Sequence, residues 1–396
     1  MSIFSLPKKK DELVLVFDVG SSSVKAALFY MQASGIPRIV LSVREPIIIE
    51  DKISIERFLF LTTKALDTVA EKIHKKGLGA PHRVFCILSS PWHISQTRTI
   101  SLKKNTPFTF NTKLADSLIQ NEVALIKEEY TKKYAHIDNA LRMIDLKNIK
   151  ITLNGYEVDK PLDKKTTELE MTVFISLGEE QVCKKIEQTI AKYFIPKGTR
   201  GEIKFSTFTM AAFTVVRDLY AHQDNFLLIN VGGEITDITM IKSNSLREST
   251  SFPLGINFMI RTIASQMNCT LSEAKSLISL FKDGHAALSP QNTLEPAIMK
   301  MKSEWLTNFQ TSLANLSNDI SIPAFVYITV DKDLADFFSE IIKTEQFNQY
   351  TLTESKFQII FLNVDNLHDL AVFEKDSIFN AFLAIDCIYI NRFFKV

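Results

Sequence analysis

Two stretches of the chain repeat one pattern of apolar and polar positions. Residues 13–30, LVLVFDVGSSSVKAALFY, place apolar, β-prone runs on either side of a glycine and three serines, which predicts a strand, a tight turn and a strand. Residues 225–241, NFLLINVGGEITDITMI, repeat that order around two glycines. Setting Asp18-Val19-Gly20 over Asn230-Val231-Gly232 aligns the hairpins without a gap, and a duplicated supersecondary unit predicts two lobes of related design. Glycine sharpens the match, because only 12 of 396 residues are Gly, against an average of roughly 7%, and three of them fall in these two turns.

Between the hairpins, residues 54–76 carry apolar positions at three and four spacing with no internal Pro or Gly, which predicts a helix. The character then changes. VFCILSS, TRTISLK and NIKITLNGYEV read as strands and TKLADSLIQNEVALIKEEY as an amphipathic helix, so residues 84–166 form an expected α+β insertion. The chain resumes with the strand-like MTVFISL, the helix-like EEQVCKKIEQTIAKYF and a helical TMAAFTVVRDLY before the second hairpin. The expected order is a first lobe of 1–83 and 167–222, the insertion, and a second lobe of 223–396.

Two helical patterns, SFPLGINFMIRTIASQMN and LSEAKSLISLF, follow the second hairpin. A polar loop at 285–295, a helix near 296–315, a strand at AFVYITV, a helix at DLADFFSEII and a final helix at DSIFNAFLAIDCIYINRFF complete the expectation. The last helix is expected to pack on the second lobe, with no separate amphipathic tail after it.

Charge and composition remove several classes of function. Lys plus Arg number 46 and Asp plus Glu 45, so no field of one sign covers the surface and nucleic acid is not an expected partner. Cys86, Cys183, Cys269 and Cys387 lack paired or metal-ligand spacing and read as free thiols of a reducing compartment. The apolar run after Lys8–Lys10 is broken by Asp18 and lacks a small-residue cleavage pattern, unlike a secretory signal. No run of roughly eighteen apolar residues exists to span a bilayer, so a membrane role is peripheral. His93, His222, Glu180 and Glu273 have no neighbours that suggest a site and read as structural or solvated positions.

The first turn has the chemistry of a phosphate cradle. Gly20 permits close backbone approach, Ser21, Ser22 and Ser23 offer small hydroxyls, and Lys25 offers charge. Asp18, at the end of the strand, has the carboxylate that could hold a hydrated magnesium ion. An ordinary serine-rich hairpin turn is the alternative.

DVGSSSVKAALF closely resembles the first phosphate motif of the actin, sugar-kinase and heat-shock chaperone ATPases, and INVGGEITDITMI resembles their second, DIGGGTTDI. FPLGINFMIRTIASQMNCTLSEAKSLI is similar to the Pro-Leu-Gly-Gly and Ala-Glu-x-x-Lys helices of the bacterial FtsA/PilM family, and the serine triplet with Val-Lys is most similar to PilM-type pilus assembly proteins. VFCILSSPWHISQTRTISLK and IKITLNGYEVDKP resemble the FtsA-type inserted subdomain. The resemblance implies an α/β, actin-like two-lobed ATPase fold of duplicated ribonuclease-H-like lobes with that insertion. It also implies an ATP or ADP site with Mg2+ at Asp18, Gly20, Ser21, Ser22, Ser23, Lys25, Gly232, Gly233 and Gly255.

The departures weigh against turnover. Asn230 stands where the second motif has a carboxylate, and an amide is no base. Glu234 and Ile235 replace a Gly and a Thr, and Lys275 and Ile278 stand where ribose and adenine are usually met. Thr329-Val330-Asp331 replaces the adenosine Thr-Gly-Gly turn. The resemblance therefore implies a scaffold with no catalytic residue, at the inner face of the cell membrane. Its implied partner is the cytoplasmic tail of an inner-membrane pilus or secretion protein, with a homo-oligomer left open. The alternatives are an FtsA-like scaffold for a cell-division filament protein and a carbohydrate kinase of the same superfamily.

Overall fold

The structure is a computed structural model that describes residues 12–52, 54–133, 140–195, 202–282, 291–316, 321–331, 337–338, 341–342, 357–375 and 377–394. Three sheets organise these residues. The first runs in the order β15 (Val372–Phe373), β3 (Arg38–Pro46), β2 (Ser23–Met31), β1 (Glu12–Val19), β4 (Arg83–Leu88) and β9 (Ile203–Thr207). Its β1 is apolar on both faces because both are covered. Leu13, Leu15, Phe17 and Val19 pack under α1 (Ile55–Lys75) and α3 (Glu180–Phe194). Val14 and Val16 face α4 (Phe208–Leu219) on the other side. Helix α1 begins where the Ser54 side chain accepts a bond from the Arg57 amide, a capping arrangement, and buries Phe58, Leu61, Ala65, Leu66, Val69 and Ile73 along one stripe.

The second sheet repeats the design in the order β12 (Ser245–Phe252), β11 (Thr236–Lys242), β10 (Phe226–Val231), β13 (Phe325–Thr329) and β14 (Gln358–Phe361). Leu227, Ile229, Val231, Ile238 and Met240 pack against α5 (Ile256–Met267) and the long α7 (Gln291–Leu316). Trp305 of α7 stacks on Phe309 with ring centroids 5.0 Å apart. Helix α6 (Leu271–Lys282) lies beside α5. The polar loop expected through 295 ends sooner, since α7 begins at Gln291. Most of the helix expected at DLADFFSEII lies outside the described residues.

The third sheet, ordered β5 (His93–Thr109), β8 (Lys165–Glu179), β6 (Leu141–Leu153) and β7 (Tyr156–Glu157), is antiparallel throughout and carries α2 (Thr112–Lys133) on one face. Ile119, Val123 and Ile126 of α2 meet Ile100, Leu169, Met171 and Val173 in a core of their own. Asp145 of β6 fastens this sheet to the first lobe. It accepts bonds from Ser206 Oγ at 2.7 Å and from the Thr207 amide and hydroxyl at 2.9 and 2.6 Å, at the N-terminus of α4.

Two expectations about lobe membership need correction. The strand at 83–88, expected to open the insertion, is β4 and pairs in parallel with β1 in the first sheet. The strand MTVFISL, expected to resume the first lobe, is the second half of β8 and belongs to the inserted sheet. The end of the chain also differs. After the short α8 (Val364–Leu367), β15 pairs with β3, and α9 (Ala381–Phe393) packs chiefly on α4, β1 and β2 of the first lobe, so the second lobe is not its sole support. Phe382 through Asn391 are all buried, as expected of a helix that is apolar around its circumference. With α4 it fills the space between the two main sheets, where Phe226, Leu228 and Ile241 of the second sheet reach the same core.

Candidate functional site

The two hairpins are built alike. Across β1 and β2 the register sets Asp18 opposite Lys25, and across β10 and β11 it sets Asn230 opposite Asp237. Each turn closes on one backbone bond, from the Gly20 amide to the Ser23 carbonyl at 3.3 Å and from the Gly232 amide to the Ile235 carbonyl at 2.9 Å. The duplication read from the sequence is therefore a duplication of register and turn geometry, with the carboxylate moved from the first strand to the second and an amide opposite it in place of the lysine.

The tips of the turns meet. Ser21 Oγ accepts bonds from the Gly233 amide at 2.8 Å and the Glu234 amide at 3.1 Å. A Cβ on Gly233 would lie 2.5 Å from the Ser21 carbonyl and the Ser22 amide, so only glycine permits this approach. The Ser22 carbonyl accepts from the Ile47 amide at 2.9 Å. Gly255 precedes α5 and touches the same turn, since a Cβ there would lie 2.5 Å from the Gly232 and Gly233 carbonyls. Those carbonyls take the first free amides of α5, Ile256 to Gly232 at 3.0 Å and Asn257 to Gly233 at 2.7 Å.

Asp18 and Lys25 form an ion pair at 2.7 Å, with side chains 0% and 3% exposed. The ammonium also lies 4.2 Å from the ring centroid of Phe382 on α9, a favourable cation–π placement. One turn further along α9, Asp386 is fully buried and neither of its oxygens has a hydrogen-bond partner. Burial first, then the neighbouring Asp18 charge, push the Asp386 carboxyl well above the ordinary carboxylate range. Ser23, at the start of β2, is also buried with its hydroxyl unpaired.

Glu234, which replaces a glycine of the second phosphate motif, is paired within the second lobe. Its carboxylate takes two bonds from Arg261, both 2.7 Å, and one from Asn257 Nδ2 at 2.8 Å. Arg261 Nε also reaches the Glu50 carbonyl in the first lobe at 2.8 Å. At the rim of the cleft Arg44 and Asp331 pair across the lobes at 2.6 Å. Thr329 and Val330, at the expected adenosine turn, are buried. A cavity of about 10 Å³ beside Asn230, Asp237 and Thr329 has room for about one water.

This arrangement does not fit a nucleotide's phosphates with a hydrated magnesium ion. The amides of Gly233, Glu234, Ile256 and Asn257 are already bonded within the chain, and Asp18 and Lys25 neutralise each other away from solvent. Asp18, expected as a metal ligand, and Lys25, expected beside phosphates, are paired with each other here. Among the described residues no group of three or more His, Cys, Asp or Glu could hold a metal ion, and no helix is long and apolar enough to cross a membrane. The four cysteines are free thiols, and burial raises the Cys86 and Cys387 thiols well above their ordinary value.

Asp237, Arg261, Asp386 and Ser90 went unnoticed in the sequence. Asp237 had a signal, since it follows Asn230 by the interval that separates Lys25 from Asp18. Its carboxylate accepts from Ser90 Oγ at 2.7 Å and from Asn230 Nδ2 at 3.4 Å, and enclosure lifts its pKa from 3.8 to about 6. A raised carboxyl favours the fold below its unfolded value and loses that contribution as pH rises through its folded value. Wild-type stability should therefore fall between about pH 4 and pH 6 relative to Asp237→Asn, by about 1–2 kcal/mol after allowance for partial exposure. Urea midpoints of both proteins across that range test it. Parallel pH profiles would show that Asp237 is ionised with no penalty.

No protein-family model matches the sequence, and no curated protein matches it. Solved structures do. A chain of the PilM–PilN type IV pilus biogenesis complex aligns over 96% of both chains with a TM-score of 0.60 at 12% identity. A protein with actin-like ATPase fold and unknown function from Bacteroides thetaiotaomicron aligns over 92% of this chain and 96% of its own, with TM-score 0.40 and 9% identity. Ethanolamine utilization protein EutJ from Carboxydothermus hydrogenoformans covers 96% and 89%, with TM-score 0.38 and 10% identity. The chain has the actin-like ATPase fold. The pilus-biogenesis chain shares it over a length that takes in the inserted sheet.

Proposed function

We propose that this chain is a non-hydrolysing scaffold that binds the cytoplasmic segment of an inner-membrane protein in a pilus or secretion assembly. The observation that carries the reading is the contact between the two turns, in which Ser21 takes the amides of Gly233 and Glu234. A phosphate-transferring enzyme needs those donors free for its substrate, and it needs a carboxylate or water-orienting group beside the transferred phosphoryl. Asn230 supplies no base, and the Asp18 carboxylate is held by Lys25. A scaffold needs none of this, because peptide recognition works through grooves, sheet edges and buried anchors on a stable surface. Likeness over almost the full length to a chain solved as part of a PilM–PilN complex supports the same reading.

The test has two arms on one preparation. The purified chain should release no phosphate from Mg-ATP beyond buffer, and Asn230→Asp alone should not start turnover. Used as bait on detergent-solubilised membranes, it should retain an inner-membrane pilus or secretion component. Magnesium-dependent hydrolysis that follows the protein through gel filtration would overturn the reading, and recovery of a division filament protein instead would replace the partner.

A further inference from the structure

We infer that the chain carries a built-in latch that holds its two lobes closed without nucleotide, with Ser21 and the Glu234–Arg261 pair making the cross-lobe connections that a bound phosphate would otherwise make. Ser21 belongs to the first lobe and takes two amides of the second at 2.8 and 3.1 Å. From Glu234 the connection runs through its carboxylate to Arg261, and from Arg261 Nε back to the first lobe at the Glu50 carbonyl. The first lobe is thus gripped at two separate places, residues 21 and 50, by one turn and one helix of the second. The pairs Ser90–Asp237 and Arg44–Asp331 add two further bonds between the lobes.

Charge holds Arg261 in position for its contact with the Glu50 carbonyl. An acidic side chain at the tip of a phosphate-type turn would repel a phosphate, yet Arg261 pairs with it in a forked, two-bond geometry that suits a guanidinium and a carboxylate. The chain therefore supplies both the anion and its cation. Domain closure around a ligand ordinarily draws its free energy from contacts the ligand makes only in the closed state. Here the closed contacts are between chain atoms, so nucleotide has no differential interaction to offer. The inference uses the same turns as the proposed scaffold role, but a measurement without partner tests only the latch, as partner capture tests only the scaffold.

Hydrogen exchange on the ligand-free protein reads the latch directly. Peptides covering residues 20–23 and 232–236 should be protected, and millimolar Mg-ATP should leave their exchange unchanged. Gly233→Ala is the wedge. Gly233 does not occupy the left-handed region, so alanine there is strained only by its 2.5 Å approach to the Ser21 and Ser22 backbone. It should speed exchange in both turns by about tenfold or more and enlarge the radius of gyration in X-ray scattering, with far-ultraviolet circular dichroism retained. Arg261→Ala and Ser21→Ala, which introduce no clash, should act in the same direction. Turns that exchange freely until Mg-ATP protects them would overturn the latch, as would a Gly233→Ala protein with unchanged exchange and radius.

Discussion

Excising residues 94–177 and joining His93 to Gly178 through a short Gly-Ser link should leave a core that unfolds cooperatively, whereas excising 84–166 should leave only aggregate. The contrast comes from sheet membership. His93 and Gly178 are partners in the antiparallel ladder of β5 and β8, so their Cα atoms are about 5 Å apart and a short link closes the gap. The inserted sheet and α2 also share a core that leaves with them. Removing 84–166 instead deletes β4, which pairs with β1 on one side and β9 on the other in the first sheet. It takes Phe85, Cys86, Ile87 and Leu88 out of the interior and strands the long β8 without either of its ladder partners. The shorter excision has its own costs. Phe174 leaves the core shared with α4 and α9, and the buried Thr207 amide and hydroxyl before α4 lose their acceptor Asp145, a cost of about 1–3 kcal/mol. Thr207 still caps α4, since its hydroxyl accepts from the Met210 amide at 3.3 Å. Trp305, in α7, reports unfolding of both variants by fluorescence. If the two behave alike, β4 and the inserted sheet do not belong to different cooperative units.

Lys25→Met should destabilise the protein by about 3–5 kcal/mol, the range for removing one partner of a buried ion pair. Asp18 is fully enclosed and keeps one oxygen without a hydrogen-bond partner even with Lys25 present. Without the ammonium, its charge would face Asp386, whose oxygens are also unpaired, across the interface between β1 and α9. Part of the penalty should fall on α9, because Lys25 contacts Phe382 there. The double change Asp18→Leu with Lys25→Met should cost less than Lys25→Met alone, since replacing both members by apolar side chains leaves no orphaned charge. Urea-unfolding free energies of the singles and the double close the cycle. Additive single effects would mean that the pair is solvated in solution.

The near-repeat of DVGSSSVK and NVGGEITD made both hairpins legible, because a turn of fixed length between apolar runs fixes strand pairing locally. Helices α1, α3 and α5 were equally legible, since each buries one stripe at three and four spacing and that stripe is written in consecutive residues. What the sequence did not contain was the destination of each element. VFCIL is an apolar run that could serve any buried strand, and only its parallel pairing to β1 places it in the first lobe. The last helix was recognised, but its all-round apolar surface names no partner, and packing decided that it lies between the two main sheets, chiefly on α4, β1 and β2. The same holds for the site. Sequence marked Gly20 and Ser21 as a phosphate cradle, and the family resemblance added Gly232, Gly233 and Gly255, all facing an expected nucleotide. The tertiary structure brings them against one another, 212 residues apart at Ser21 and Gly233, and pairs Glu234 with an arginine that no local pattern connects to it. Contacts so distant in sequence depend on the whole packed arrangement, whereas turn type and strand alternation depend on neighbouring residues alone.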